Sequence, residues 1–198
     1  PDVAVMGEEA FQKELGDHAK LLAEVGVDLL WPEYVGYIAD CVAAVDACAE
    51  TGLPVCLGVR HIQEDGSMQY EEQFEDLAAA LEGHKIDAIL LMCSSPEDIS
   101  VGLPRLKDAF DGPVGAYPNI GYHPLEPLKS EEAEGTPDEA AEFLQTSDNT
   151  PARLAAFARE WKAMGAQIIG GCCATGPEHI QAMHPEVKGW SCRGLPPG

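Results

Sequence analysis

Basic residues are scarce in this chain. Its 198 residues carry 12 Lys and Arg against 34 Asp and Glu, a formal net charge of −22. A nucleic-acid ligand needs a basic footprint for its phosphates, and an anionic membrane surface needs the same, so both partners are excluded on charge. Long apolar runs are also missing. None approaches the roughly 20 residues that cross a bilayer, and no basic-plus-apolar leader opens the sequence. The seven cysteines are odd in number and lack the spacing of a disulfide framework. Reduced thiols and a cytoplasmic location are the expectation.

The hydrophobic share is 45%, enough for one sizeable core. Strand and helix patterns alternate. Helical spacing runs over 8–25, 35–50, 70–81, 96–110 and 150–164. Short apolar runs at 27–31, 54–59, 86–93, 113–117 and 166–169 read as strands. Such alternation predicts an α/β fold with parallel strands. A weak repeat supports it: a helix, a glycine or polar turn, then a strand, as in Val25-Gly26-Val27, His84-Lys85-Ile86 and Met164-Gly165-Ala166. Five strands are too few to close an eight-stranded barrel, which takes ~250 residues. Residues 1–198 read as a single domain. Within it, 122–149 is a long acidic loop and 184–198 a Pro- and Gly-rich tail carrying Cys192.

The stretch around which the chain is organised is Ile168-Ile169-Gly170-Gly171-Cys172-Cys173-Ala174-Thr175-Gly176-Pro177-Glu178. It reads as a strand, two glycines, two adjacent thiols and a helix start. Thr175 and Glu178 stand at capping-box spacing, with Pro177 in the first turn. The positive end of the following helix favours thiolate. Cys93 has the same setting: it ends the run 86–93 and precedes Ser95-Pro96-Glu97-Asp98, a second capped start. In a barrel all strand C-termini share one face. Cys93, Cys172 and Cys173 then converge, and three protein ligands with an open position is the pattern of catalytic zinc. Cys41, Cys48 and Cys56 lie in apolar contexts and read as inert core residues. The histidines share no metal-like spacing.

Cys93 with Gly170-Gly171-Cys172-Cys173 and Thr175-Gly176-Pro177-Glu178-His179-Ile180 resembles the signature of the homocysteine S-methyltransferase family. Tyr117-Pro118-Asn119 resembles that family's motif after its seventh strand, and Glu33 its motif after the fourth. The resemblance covers about residues 8 to 183. It implies a zinc-dependent (β/α)8 TIM barrel, of which this chain supplies strands four to eight. The three strands before these, with the substrate-binding motif they carry in the family, are not in this sequence. It further implies Zn2+ on Cys93, Cys172 and Cys173, and homocysteine as the methyl acceptor, giving methionine. Substrate binding would fall to Glu33, Tyr34 and Asn119. Glu33-Tyr34 looks like the betaine–homocysteine branch, where the acid holds the substrate amino group and the tyrosine can approach zinc. Tyr117-Pro118-Asn119 looks like other branches, so a sulfonium, ammonium or cobalamin methyl donor stays open. Two further expectations stand beside this one: a zinc-thiolate alkyl transferase with another thiol acceptor, and a zinc-binding fragment without complete catalysis.

Overall fold

A computed structural model describes residues 3–121 and 149–187. The loop expected at 122–149 and the end of the tail, with Cys192, lie almost wholly outside the described residues. Helices α1 (Val3–Met6), α2 (Glu8–Glu24) and α3 (Ile38–Ala49) lead to strand β1 (Cys56–Arg60). Helix α4 (Phe74–Ala80), strand β2 (Ala88–Met92), helix α5 (Pro96–Ala109) and strand β3 (Val114–Tyr117) follow. Helix α6 (Pro151–Ala163), strand β4 (Ile168–Ile169) and helix α7 (Pro177–Val187) complete the order. The strands form one parallel sheet in sequence order, β1-β2-β3-β4. This is the α/β alternation that the sequence predicts.

The sheet has two different faces because side chains alternate along each strand. Leu57, Val59, Ile89, Leu91, Val114 and Ala116 point to the helices and form the main core with Phe74, Leu103 and Trp161. Cys56, Ala88, Leu90, Met92 and Tyr117 point the other way into a smaller cluster, against Trp31, Ile168 and Cys172. Helix α3 lies close because its buried face is made of small residues, Cys41, Ala43, Ala44, Ala47 and Cys48. Ser95 and Thr150 cap their helices as expected. The Ser95 hydroxyl accepts from Asp98 N–H at 3.0 Å and the Thr150 hydroxyl from Arg153 N–H at 3.3 Å.

Three expectations are corrected. The strand expected at 27–31 is reduced to isolated bridges, Leu30 to Val55 and Val35 to Val59. Pro32 has no N–H to give and interrupts the ladder there. Its carbonyl still accepts from Gly58 N–H at 2.9 Å, so the segment remains a broken sheet edge. The helix expected at 70–81 begins at Phe74, after a 3-10 turn at Gln69–Glu71. Tyr70 and Glu71 are left-handed (φ 65° and 64°), and the Glu72 carboxylate turns away to accept from Ile38 N–H at 2.8 Å, at the start of α3. Finally, α7 runs through Pro185 to Val187, so residues 184–187 belong to a helix and not to the tail.

Candidate metal and substrate site

Cys93 follows the last residue of β2 in a left-handed conformation, φ 49°. A non-glycine residue adopts this only where its surroundings hold it. Here Cys93 N–H donates to the Tyr117 carbonyl at 3.3 Å, and the buried Ser94 hydroxyl is pinned between the Met92 carbonyl (3.0 Å) and Ile62 N–H (2.7 Å). The second and third thiols hang from the loop after β4. Gly170 N–H donates to the Ala116 carbonyl and Cys172 N–H to the Pro118 carbonyl, both at 2.9 Å. Ile120 N–H donates to the Cys173 carbonyl at 3.1 Å. Of the two glycines, Gly171 is required: a Cβ there would run into the Thr175 side chain. The left-handed turn falls on Ala174 (φ 63°) instead of a glycine.

These constraints bring the three thiols together. The Sγ atoms of Cys93 and Cys173 are 4.0 Å apart, those of Cys172 and Cys173 3.8 Å, and all three lie within 4.8 Å of one another. Sulfur ligands ~2.3 Å from a tetrahedral zinc stand ~3.8 Å from each other, so the spacing and the soft donor set both fit that ion. Cys93 is buried, Cys172 half-buried and Cys173 exposed, which leaves the cluster open on one side.

Without a cation the same crowding opposes ionisation. Burial pushes the Cys93 thiol up to about 12, and the neighbouring Cys172 and Cys173 add to it. Burial also raises Cys172, against a lowering by Cys173 N–H. For these two thiols the expected preference for thiolate at a helix start is thus outweighed by desolvation and mutual repulsion. The expected Thr175 cap is not formed either. Thr175 Oγ1 is buried without a partner because the side chain lies over Gly171. The buried His179 takes the capping role: its Nδ1 accepts from Gly176 N–H at 3.1 Å and its Nε2 faces the Asn149 carbonyl at 3.2 Å. That pairing calls for the neutral imidazole with the proton on Nε2.

Asn119 joins the cluster. Its Nδ2 points to Cys93 Sγ at 3.8 Å, while Oδ1 accepts from Gly121 N–H at 3.0 Å and so fixes the amide. Glu33 approaches through Tyr117, whose hydroxyl contacts Met92 Sδ at 3.2 Å. Burial, then the charge of Glu33, holds that phenol far above its ordinary range. Tyr34 is half-exposed. Its hydroxyl is 3.3 Å from His61 Nε2 and the Arg60 guanidinium lies 4.2 Å over its ring. The motif reading quoted Tyr117 and His179 without giving either a role at the site, and passed over Arg60. The period of two was the available signal for Arg60, since Cys56, Gly58 and Arg60 share the inner face.

The model of the homocysteine S-methyltransferase family matches residues 4–187. The chain belongs to the homocysteine S-methyltransferase family. Homocysteine S-methyltransferase 3 of Zea mays is 27% identical over 167 residues, covering 83% of this chain and 46% of that protein. Homocysteine S-methyltransferase of Escherichia coli is 24% identical over 176 residues, 88% of this chain and 53% of that protein. Methionine synthase of Mycobacterium leprae is 32% identical over 136 residues, 68% of this chain and 10% of that protein. The metallated form of the homocysteine methyltransferase MmuM from Escherichia coli superposes with a TM-score of 0.69 at 22% identity, covering 90% of this chain and 51% of that one. The chain spans about half the length of the homocysteine methyltransferases it matches. The shared fold is therefore a portion of their barrel, as the sequence predicts.

Proposed function

We propose that this chain carries the zinc and thiol-acceptor half of a homocysteine S-methyltransferase site, working in a reduced, cytoplasmic setting and yielding methionine. The observation that carries this reading is the convergence of Cys93, Cys172 and Cys173 within 4.8 Å, in a family whose relatives are named for homocysteine methylation. The chemistry Zn2+ supplies when bound to three thiolates is a low proton affinity at a fourth, substrate sulfur, which stays nucleophilic at neutral pH.

The protein groups do the rest. Asn119 Nδ2 supplies an N–H toward Cys93 Sγ, which favours that sulfur as an anion. Glu33 offers a carboxylate to a substrate ammonium group. Tyr117 keeps its proton and presents a neutral wall of the site beside Trp31, with ring centroids 5.3 Å apart. In the transfer the homocysteine thiolate forms a new C–S bond to the methyl carbon. The bond from that carbon to the donor atom breaks, and its electron pair leaves with the donor. The thiol proton goes to solvent. No further base is required.

The test is methionine formation, read by mass spectrometry, from homocysteine and each of S-methylmethionine, betaine, S-adenosylmethionine and methylcobalamin. Zinc-loaded protein should form methionine with one donor, and Cys173→Ser should lose the activity. Methylation of another thiol with homocysteine left untouched would contradict the acceptor assigned here.

A further inference from the structure

Arg60 ends β1 in register with Met92, the residue before Cys93. Neighbouring strands lie ~4.8 Å apart, so its backbone stands one strand away from the first thiol. Alternation from Cys56 and Gly58 puts its side chain on the inner face, the face of Met92, Tyr117 and Cys172. The guanidinium carbon then lies over the Tyr34 ring, 4.2 Å from its centroid. Its charge, added to burial, holds His61 below the ordinary imidazole range.

The charge surroundings are unusual. Acids outnumber bases 34 to 12. Lys13, Lys20, Arg153 and Arg159 each pair with a carboxylate. Among the described residues Arg60 has no such pair, as Lys85, Arg105, Lys107 and Lys162 have none, but of these basic side chains it is Arg60 whose buried Nε has no hydrogen-bond partner. Two acids line the same cleft of about 610 Å³, Glu33 and Asp40. Asp40 is engaged by Val3 N–H at 2.9 Å, and Glu33 acts on Tyr117. Beside Arg60, the buried Gln69 Oε1 is also without a partner, and both atoms crowd the Cα of Gly36, where a Cβ would meet them at 3.1 and 2.7 Å. A planar fork set over an aromatic ring and not paired with a carboxylate of the described residues is suited to a carboxylate from outside.

We infer that Arg60 is the carboxylate-binding residue of this site and holds the carboxylate of a zwitterionic substrate. The inference rests on the reading of a homocysteine-methylating site, since both homocysteine and an amino-acid methyl donor carry that group. In homocysteine three carbon atoms separate the sulfur from the carboxyl carbon. A sulfur at the thiol cluster therefore leaves the carboxylate within reach of a long side chain one strand away.

The experiment compares matched probes by calorimetry on the zinc-loaded chain. Homocysteine is paired with 3-aminopropane-1-thiol, and S-methylmethionine with (3-aminopropyl)dimethylsulfonium; each second probe lacks only the carboxylate. Wild-type protein should prefer the carboxylated member of at least one pair by roughly tenfold or more. Arg60→Gln should remove that preference while leaving affinity for the descarboxy probe unchanged, which also reports an intact fold. Arg60→Lys should restore part of it. The pair that responds identifies whether acceptor or donor is held. Equal loss of both members in Arg60→Gln, or a preference that survives the substitution, overturns the assignment. If homocysteine does not bind the wild type, the acceptor reading fails and the donor pair alone decides Arg60. If no probe binds, both fail.

Discussion

Cys93 and Cys173 stand 80 positions apart in sequence, and their sulfur atoms are 4.0 Å apart. One is fixed by a left-handed turn at the end of β2. The other is fixed by a loop tied to β3 and to Ile120. Two parallel strands that end at the same edge make that meeting possible.

Metal uptake should depend steeply on pH. Cys93 and Cys172 both hold their protons above the ordinary thiol range, so each releases a proton when it becomes a ligand. From these two thiols alone, affinity for zinc should rise by at least roughly a hundredfold per pH unit through neutrality, about tenfold for each proton displaced. Competition against a chromophoric chelator between pH 6.5 and 8 measures it. A pH-independent affinity would mean that these thiols are already ionised.

His179 should matter to the cysteine loop without touching it. It links Gly176, at the start of α7, to Asn149, whose Nδ2 donates to the Ile120 carbonyl at 3.0 Å. Ile120 in turn holds the Cys173 carbonyl. His179→Ala removes the acceptor of the Gly176 N–H, which costs about 1–3 kcal/mol where that group stays buried. Chemical denaturation should show the loss, together with weaker zinc retention. An unchanged stability would show that water replaces the imidazole.

Gly58 is required by close approach. A Cβ there would meet the Tyr117 hydroxyl, Met92 Sδ at 3.0 Å and Glu33 Cα at 3.3 Å. Two of these are backbone or tightly packed, so Gly58→Ala should cost about 1–3 kcal/mol as overpacking. Urea denaturation tests this, and a neutral result would mean that the broken edge at Pro32 gives way freely.

Alkali should unfold the protein earlier than its ion pairs suggest. Burial pushes Cys48 up to about 11 and Cys41 further, from an ordinary value of 9.0. Both folded values lie above the unfolded one. Their contribution is therefore intact below pH 9 and is lost as pH climbs through the window above it, by about 1.4 kcal/mol per thiol per pH unit. Denaturation at pH 8 and pH 10 should show that fall, and Cys41→Ala should show a smaller one.

The three cysteines were legible because each stands in a local frame, apolar strand then capped helix, that fixes its place on one edge of the sheet. Ser95 and Thr150 were legible for the same local reason. Thr175 was not, because its side chain is drawn over Gly171, and the N–H held at the helix start is that of Gly176, taken by His179. The strand at 27–31 failed at Pro32, where hydropathy says nothing about a missing donor. The helix at 70–81 lost its first turn to Glu72, whose partner Ile38 is 34 residues away. Arg60 could have been found from alternation in β1, and the inward setting of Tyr117 from alternation in β3. The nearness of Glu33 to Tyr117 could not, since it depends on a glycine in the strand between them.

The most direct measurement is zinc per chain, by elemental analysis of reduced, purified protein beside a Cys173→Ser variant. The account predicts about one zinc in the wild type and its loss in a variant that still shows native circular dichroism. A folded wild-type chain without zinc, or a variant that keeps it, would contradict the three-thiolate site.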